Sequence, residues 1–314
     1  MKVLITGGLG GVGFHVTRRF LAAGHQVRVL ELEGPLPKER LALLPQSPEV
    51  LWGDVTKPED VRRAVEGVDA VVHLAAIIPP KADEVEGLAH KINVGGTKTV
   101  VEALKSTGRK IPLVFTSSIA VFGDTRGKEG LRHPDRDKPN PHTPYEKSKY
   151  ESETLVRNSG LDFLVLRLTA TPHLTRSAMK MKDAFMLPYD SKIEFCHVED
   201  TATAILHGVE RFEKVKGKVF VIAGGPGEQM RYNEFLGRAM GRMGLPCPPA
   251  SKFSKGLSHL DWYDTRDSEA ALEYQSRTYD NFLDELYADI PKPAQWLMRY
   301  FVGPAFGWLI VRMM

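Results

Sequence analysis

Thr6-Gly7-Gly8-Leu9-Gly10-Gly11-Val12-Gly13 lies between a short apolar run, Lys2-Val3-Leu4-Ile5-Thr6, and a stretch from Phe14 to Ala23 with the apolar spacing of a helix that ends at Gly24. A glycine-rich segment in that position is a turn from a buried strand into a helix. Gly7 permits the tight turn, Gly10 lets the backbone approach a pyrophosphate, and Gly13 lets the helix pack closely; Gly11 and Val12 belong to the same phosphate-facing loop. Val27-Leu30 reads as the second strand and Glu31 stands at its end, about 20 residues after the glycines, where a carboxylate accepts hydrogen bonds from an adenosine ribose and repels a 2′-phosphate. The expected cofactor is therefore NAD, while Lys38 and Arg40, which follow soon after, keep NADP open.

At 314 residues and 42% hydrophobic content, the chain can hold one sizeable core or two small ones. Its net charge of +3 selects no partner, and no run of Lys and Arg interleaved with aromatics marks a nucleic-acid face. Cys196 and Cys247 lie far apart without ligand-like spacing, which argues against a disulfide framework or a metal site and fits a reducing compartment. The N-terminal apolar run is short and already used as a strand, so no signal peptide is expected and the chain reads as cytoplasmic.

Strand and helix patterns then alternate. Leu51-Val55 reads as a third strand, Lys57 to Val65 as a short helix, Val68 to Ala75 as a strand and Glu84 to Ser106 as a long helix. Pro112 to Ser118 follows as a strand, Tyr145 to Ser159 as a helix, and Leu161 to Leu168 and Lys218 to Ile222 as strands. Buried apolar strands separated by helices predict an α/β fold, a doubly wound parallel sheet with ligands at the strand C-termini. Residues 1–168, joined again by 197–225, are expected to form the dinucleotide-binding domain. Residues 169–196 and 226–290 are expected to form a smaller interleaved substrate-binding part, and 291–314 an apolar tail. Gly123 to Thr143, rich in charge, proline and glycine, reads as a long loop of the kind that covers a substrate.

Tyr145 and Lys149 share a helix face at a spacing of four. A tyrosine titrates near 10 and serves as a base at neutral pH only where cations lower that value, which Lys149 is placed to do. Phe115-Thr116-Ser117-Ser118 ends a buried strand in hydroxyls, His73-Leu74-Ala75-Ala76 ends another in small residues, and Asn93 lies on the long helix between them.

Together these residues resemble the extended short-chain dehydrogenase/reductase superfamily, which includes nucleotide-sugar epimerases and dehydratases and the 3β-hydroxysteroid dehydrogenases. The resemblance covers roughly residues 1–225, with a weaker echo to about 285. It rests on Thr6 to Gly13, Glu31, Asp54-Val55, His73 to Ala76, Ser118 before Val121-Phe122-Gly123, Pro144-Tyr145 with Ser148-Lys149, and His197-Val198-Glu199-Asp200. It implies a Rossmann fold, adenine contact at Asp54, and a catalytic set of Ser118, Tyr145 and Lys149. Tyr145 would exchange the proton, Ser118 would bond the same oxygen, and Lys149 would hold the nicotinamide ribose; Thr116 and Ser117 are alternatives to Ser118. It also implies a homodimer through the two long helices and a small-molecule substrate.

The sugar-modifying members usually carry an Arg-x-x-Asn-Val-Tyr-Gly-Pro-like stretch where this chain has Leu168-Thr169-Ala170-Thr171-Pro172, and Phe185-Met186-Leu187-Pro188 is apolar. Arg176, Lys180 and Lys182 read as a solvated basic face. These departures favour a secondary alcohol or ketone of low polarity over a nucleotide sugar, with an epimerase and a non-catalytic NAD-binding sensor as the alternatives. The tail from Gln295 to Met314 holds Trp296, Tyr300, Phe301, Phe306 and Trp308, but Arg299, Pro304 and Arg312 interrupt it and its apolar run is too short to span a bilayer. Two readings follow: a tail packed on its own domain or a partner, or a helix lying in a membrane interface.

Overall fold

The computed structural model describes residues 1–172, 185–288, 290–303 and 305. Nine strands occur among them: β1 (Lys2–Thr6), β2 (Gln26–Glu31), β3 (Glu49–Trp52), β4 (Ala70–His73), β5 (Leu113–Ser118), β6 (Phe163–Leu168), β7 (Lys192–Glu194), β8 (Val219–Ile222) and β9 (Gln229–Arg231). Seven form one parallel sheet in the order β3-β2-β1-β4-β5-β6-β8, and β7 pairs antiparallel with β9. The order runs outward from β1 in both directions, so the switch between β1 and β4 opens a crevice at their C-terminal ends.

The helices are α1 (Gly11–Ala22), α2 (Pro35–Ala42), α3 (Pro58–Val65), α4 (Lys81–Glu84), α5 (Gly95–Ser106), α6 (Pro144–Arg157), α7 (Val198–Glu210), α8 (Phe212–Val215), α9 (Tyr232–Gly241), α10 (Arg266–Leu272), α11 (Tyr279–Tyr287) and α12 (Lys292–Leu297). The central positions of the sheet strands are mostly apolar because both faces are covered. Along β1, Val3 and Ile5 join the core with Phe20 of α1 and Ile205 of α7. Leu4 between them joins the opposite core with Val61 of α3, Leu104 of α5 and Val156 of α6. A third cluster is aromatic: Phe195, Tyr232, Phe253, Tyr263, Tyr279 and Phe282 pack with Phe122 beyond the sheet edge.

Most expected elements lie within a few residues of their observed limits. Two differ more. The third strand ends at Trp52 because Asp54 turns the chain, its Oδ1 accepting from the Thr56 amide (2.9 Å) and hydroxyl (2.8 Å). The long helix is divided: α4 stops at Glu84, Gly87 adopts φ +70°, and the helix restarts at Leu88 with a π-helical turn, His90–Val94, ahead of α5. A left-handed residue cannot sit inside a right-handed helix, so Gly87 sets the break.

Residues 123–143 hold no helix or strand but are tied down. Thr125 Oγ1 donates to the carbonyls of Ser258 (3.0 Å) and Leu260 (2.7 Å), and buried Arg132 pairs with buried Asp261 at 3.1 Å. Both cysteines are free. Among the described residues no group of side chains has metal-ligand clustering, and no helix is long and apolar enough to cross a membrane. Arg176, Lys180 and Lys182 lie outside the described residues.

Candidate active site

Parallel register puts Thr6, His73 and Phe115 level across β1, β4 and β5, so the glycine loop, residues 73–76 and residues 116–118 emerge at one edge. Gly7 turns there with φ +71°, its amide donating to the Leu30 carbonyl at 2.9 Å. A Cβ on Gly7 would lie 2.8 Å from Ala75 Cα, which fixes why the two loops can touch. A Cβ on Gly13 would overlap the Gly7 carbonyl oxygen, so Gly13 serves closure of the loop on itself more than packing of helix on strand. Helix α1 starts at Gly11 with Gly10 as N-cap and no side-chain cap. The first-turn amides of Gly11, Val12 and Gly13 thus point along the helix axis into the loop, the arrangement that binds a phosphate.

Glu31 reaches the same loop. Its carboxylate accepts from the amides of Leu9 (2.9 Å) and Leu32 (3.1 Å), and each oxygen keeps a lone pair for a further donor. Burial raises its pKa, opposed by those amides and by Arg40. Arg40 donates to the Leu9 carbonyl at 2.8 Å and Lys38 pairs with Glu33 at 2.6 Å, so the two cations that kept NADP open are engaged within the protein. At the end of β3, Asp54 is held by Thr56, and buried Val55 packs where a Cβ on Gly96 would come within 2.7 Å. Bare amides at a helix N-terminus plus a carboxylate at the end of β2 fit an adenine dinucleotide.

The floor of the crevice is a polar relay. The Ala75 amide donates to Thr6 Oγ1 (3.3 Å), Thr6 to His73 Nδ1 (2.6 Å), His73 Nε2 to Thr97 Oγ1 (3.1 Å), and Thr97 to the Asn93 carbonyl (2.6 Å). Donor and acceptor roles along this chain select the Nε2-protonated tautomer. Burial, and then the charge of Lys149, push the His73 pKa down to about 3, so the ring is neutral. The Leu74 amide donates to the Thr6 carbonyl at 3.1 Å, and Ala76 is partly exposed beside it. Asn93, within the π turn, clamps residue 77 in both directions (Ile77 amide to Oδ1 2.8 Å, Nδ2 to Ile77 carbonyl 3.1 Å) and donates to Ser148 Oγ at 2.9 Å. Ser148 in turn donates to the Tyr145 carbonyl at 2.8 Å, so Asn93 positions the helix that carries Tyr145.

Thr143 caps α6 in a capping box with Glu146, and Pro144 takes the first position, placing Tyr145 in the first turn. Its hydroxyl lies near enough to Ser118 for that side chain to act on its pKa. Thr116 Oγ1 is committed to the His73 carbonyl (3.1 Å) and Ser117 Oγ to Glu153 (2.9 Å), which leaves Ser118 as the hydroxyl beside the tyrosine. The Lys149 ammonium donates to the Thr116 carbonyl at 2.6 Å and lies 4.7 Å from the Phe115 ring centre. Burial pushes its pKa down to about 8, partly offset by Glu153.

The expected lowering of the Tyr145 pKa is not what this arrangement produces. Burial raises it, the Ser118 side chain lowers it, and Asp83 raises it again. Asp83 was not visible as a site residue: its Oδ1 accepts from the Tyr145 amide at 2.8 Å across 62 positions of sequence. Glu153 was also missed; it is fully buried, bonded by Arg167 through Nε (3.0 Å) and Nη2 (2.7 Å), and continues the four-residue spacing of Tyr145 and Lys149.

The sequence profile of the NAD dependent epimerase/dehydratase family matches residues 3–223. The chain belongs to this family. Among curated relatives, D-erythronate dehydrogenase of Cupriavidus necator is 34% identical over 134 residues, 39% of this chain and 40% of that protein. The 3 beta-hydroxysteroid dehydrogenase type 7 of Homo sapiens is 36% identical over 148 residues, 46% of this chain and 38% of that protein. The matched segment thus spans less than half the length of either relative. Among solved structures, the fold is shared with a Streptomyces venezuelae dTDP-glucose 4,6-dehydratase with NAD bound (TM-score 0.77, 23% identity, 92% of this chain and 98% of that one). It is shared equally with UDP-glucuronic acid 4-epimerase from Bacillus cereus in complex with UDP-glucuronic acid and NAD (TM-score 0.75, 21% identity, 92% and 98%). These two structures thus share the fold of this chain.

Proposed function

We propose that the protein is an NAD-dependent oxidoreductase that interconverts a secondary alcohol and a ketone, with Ser118, Tyr145 and Lys149 as its catalytic residues. The observation that carries this reading is the convergence of Ser118, the hydroxyl that acts on the Tyr145 phenol, with the Lys149 ammonium bonded to the Thr116 carbonyl, at the edge where the glycine loop opens. The first-turn amides of α1, from Gly11 to Gly13, would hold the pyrophosphate, Glu31 the adenosine ribose, Asp54 and Val55 the adenine side, and Leu74, Ala75, Ala76, Asn93 and Thr116 the crevice wall. Bound nicotinamide supplies the acceptor or donor of the hydride.

Tyr145 Oη exchanges the proton at the substrate oxygen, and Ser118 Oγ bonds the same oxygen, stabilising charge that develops on it. A phenol whose pKa is raised is poised as the acid of ketone reduction. As the base of alcohol oxidation it needs the nearby positive charge of Lys149. The matched dehydrogenases favour net redox chemistry over epimerisation. Residues 169–172, 185–196 and 226–290 serve as the substrate-binding part, and a homodimer pairing through α5 and α6 is the expected assembly.

The test is a thermal-shift measurement with NAD and NADP, followed by a screen of secondary alcohols and sugar nucleotides for reduced nicotinamide. Stabilisation by NAD with net NADH from an alcohol supports the reading. Stabilisation by NAD with an inverted sugar stereocentre and no net NADH replaces it with an epimerase.

A further inference from the structure

The segment after α11 is attached to the protein yet turns its aromatic side chains outward. Gln295 Nε2 donates to the carbonyls of Tyr287 (2.9 Å) and Ile290 (2.7 Å), fixing the start of α12 to the end of α11. The helix continues from Lys292–Leu297 through a π-helical turn at Met298–Val302. It docks backbone-first on Gly244: a Cβ there would lie 2.6 Å from the Arg299 carbonyl oxygen, and buried Gly303 meets the Gly244 backbone. On the other side, Trp296, Leu297, Tyr300 and Phe301 are 50–57% exposed, and the Trp296 ring lies 6.0 Å from Tyr300 and 5.1 Å from Phe301. Four large apolar side chains in six positions, held out by a docked helix, form a face with no partner among the described residues.

We propose that this face binds the interface of an anionic lipid bilayer, with α12 lying in the membrane plane. Three features choose this occupant. The exposed residues are chiefly aromatic, the type whose amphipathic rings settle at headgroup level. From Ile290 to Met314 the chain carries Lys292, Arg299 and Arg312 and no acidic residue, a balance complementary to a negative surface. Exposed Arg299 sits 5.5 Å from the Tyr300 ring centre, placing a cation at the level of the aromatics. Beyond Gly303 the sequence continues with Phe306, Trp308, Leu309, Ile310 and Val311, extending the same character.

The test is flotation of the full-length protein with vesicles of phosphatidylcholine alone and of equimolar phosphatidylcholine and phosphatidylglycerol, beside sedimentation of the same samples without lipid. The comparison variant combines Trp296→Ser, Tyr300→Ser and Phe301→Ser; all three side chains are exposed, and its melting temperature checks the fold. Flotation of the parent protein with the anionic vesicles, weakened by salt and reduced about tenfold or more in the variant, supports the proposal. No flotation with anionic vesicles overturns it. So does a parent dimer that the variant converts to monomer while lipid binding is unchanged, which would make this face a contact between copies.

Discussion

Replacing Lys149 by Met should make the cofactor-free protein's stability less dependent on alkaline pH, and the size of the change follows from the burial of the ammonium. The side chain is 5% exposed and its pKa falls from 10.5 to about 8. Between these values the unfolded chain binds more protons than the folded one, so stability rises with pH across that window and is lowest below it. At pH 7 the depressed pKa costs about 3 kcal/mol relative to an exposed lysine, and at pH 10 under about 1 kcal/mol remains. Met has similar length and does not titrate. Its pH-independent effects, chiefly loss of the 2.6 Å bond to the Thr116 carbonyl, are the same at every pH and cancel in the comparison. Urea denaturation of both proteins without cofactor, from pH 7 to pH 10, should therefore show wild type gaining about 2 to 3 kcal/mol on the variant. A difference constant with pH would refute the argument that Lys149 is stored as a strained charge for use with a ligand.

Three other substitutions probe separate parts of the site. Glu153→Gln leaves Arg167 charged and buried, so thermal unfolding should reveal a loss of about 3 to 5 kcal/mol, largely recovered when Arg167→Met is added. Gly13→Ala drives a Cβ into the Gly7 carbonyl, and calorimetry should show NAD binding lost while the strands, monitored by circular dichroism, persist. Asp83→Asn keeps an acceptor for the Tyr145 amide but removes a charge that raises the Tyr145 pKa, so in ketone reduction, where Tyr145 is the acid, the alkaline limb of the pH–rate profile should move to lower pH; a superimposable profile would show that Asp83 does not tune Tyr145.

The sheet was readable because its central strands are mostly apolar on both faces and are followed by a helical pattern or a turn signal; Val3-Leu4-Ile5 shows this in three residues. That Tyr145 and Lys149 share a helix face was readable from their spacing, while their reading as a site needed the strand ends at Ser118 and Ala76 beside it; Glu153 continues that spacing, although its partner Arg167 cannot be reached from spacing. What was hidden is long-range. Asp83 joins Tyr145, and Arg132 joins Asp261, through contacts that no local pattern encodes. The direction of the Tyr145 shift was misjudged for the same reason: the nearby lysine is visible in sequence, whereas burial and the carboxylate of Asp83 appear only once the chain is folded. The break at Gly87 is a milder case, since a glycine in a helical stretch signals a possible break without requiring one.

The role proposed for Tyr145 is exchange of the substrate proton. The direct measurement is kcat for Tyr145→Phe on whichever alcohol yields NADH, with NAD affinity measured on the same preparation by calorimetry. A fall of about 10²- to 10⁴-fold in kcat with NAD affinity essentially unchanged is expected. Turnover equal to that of the parent protein would contradict it.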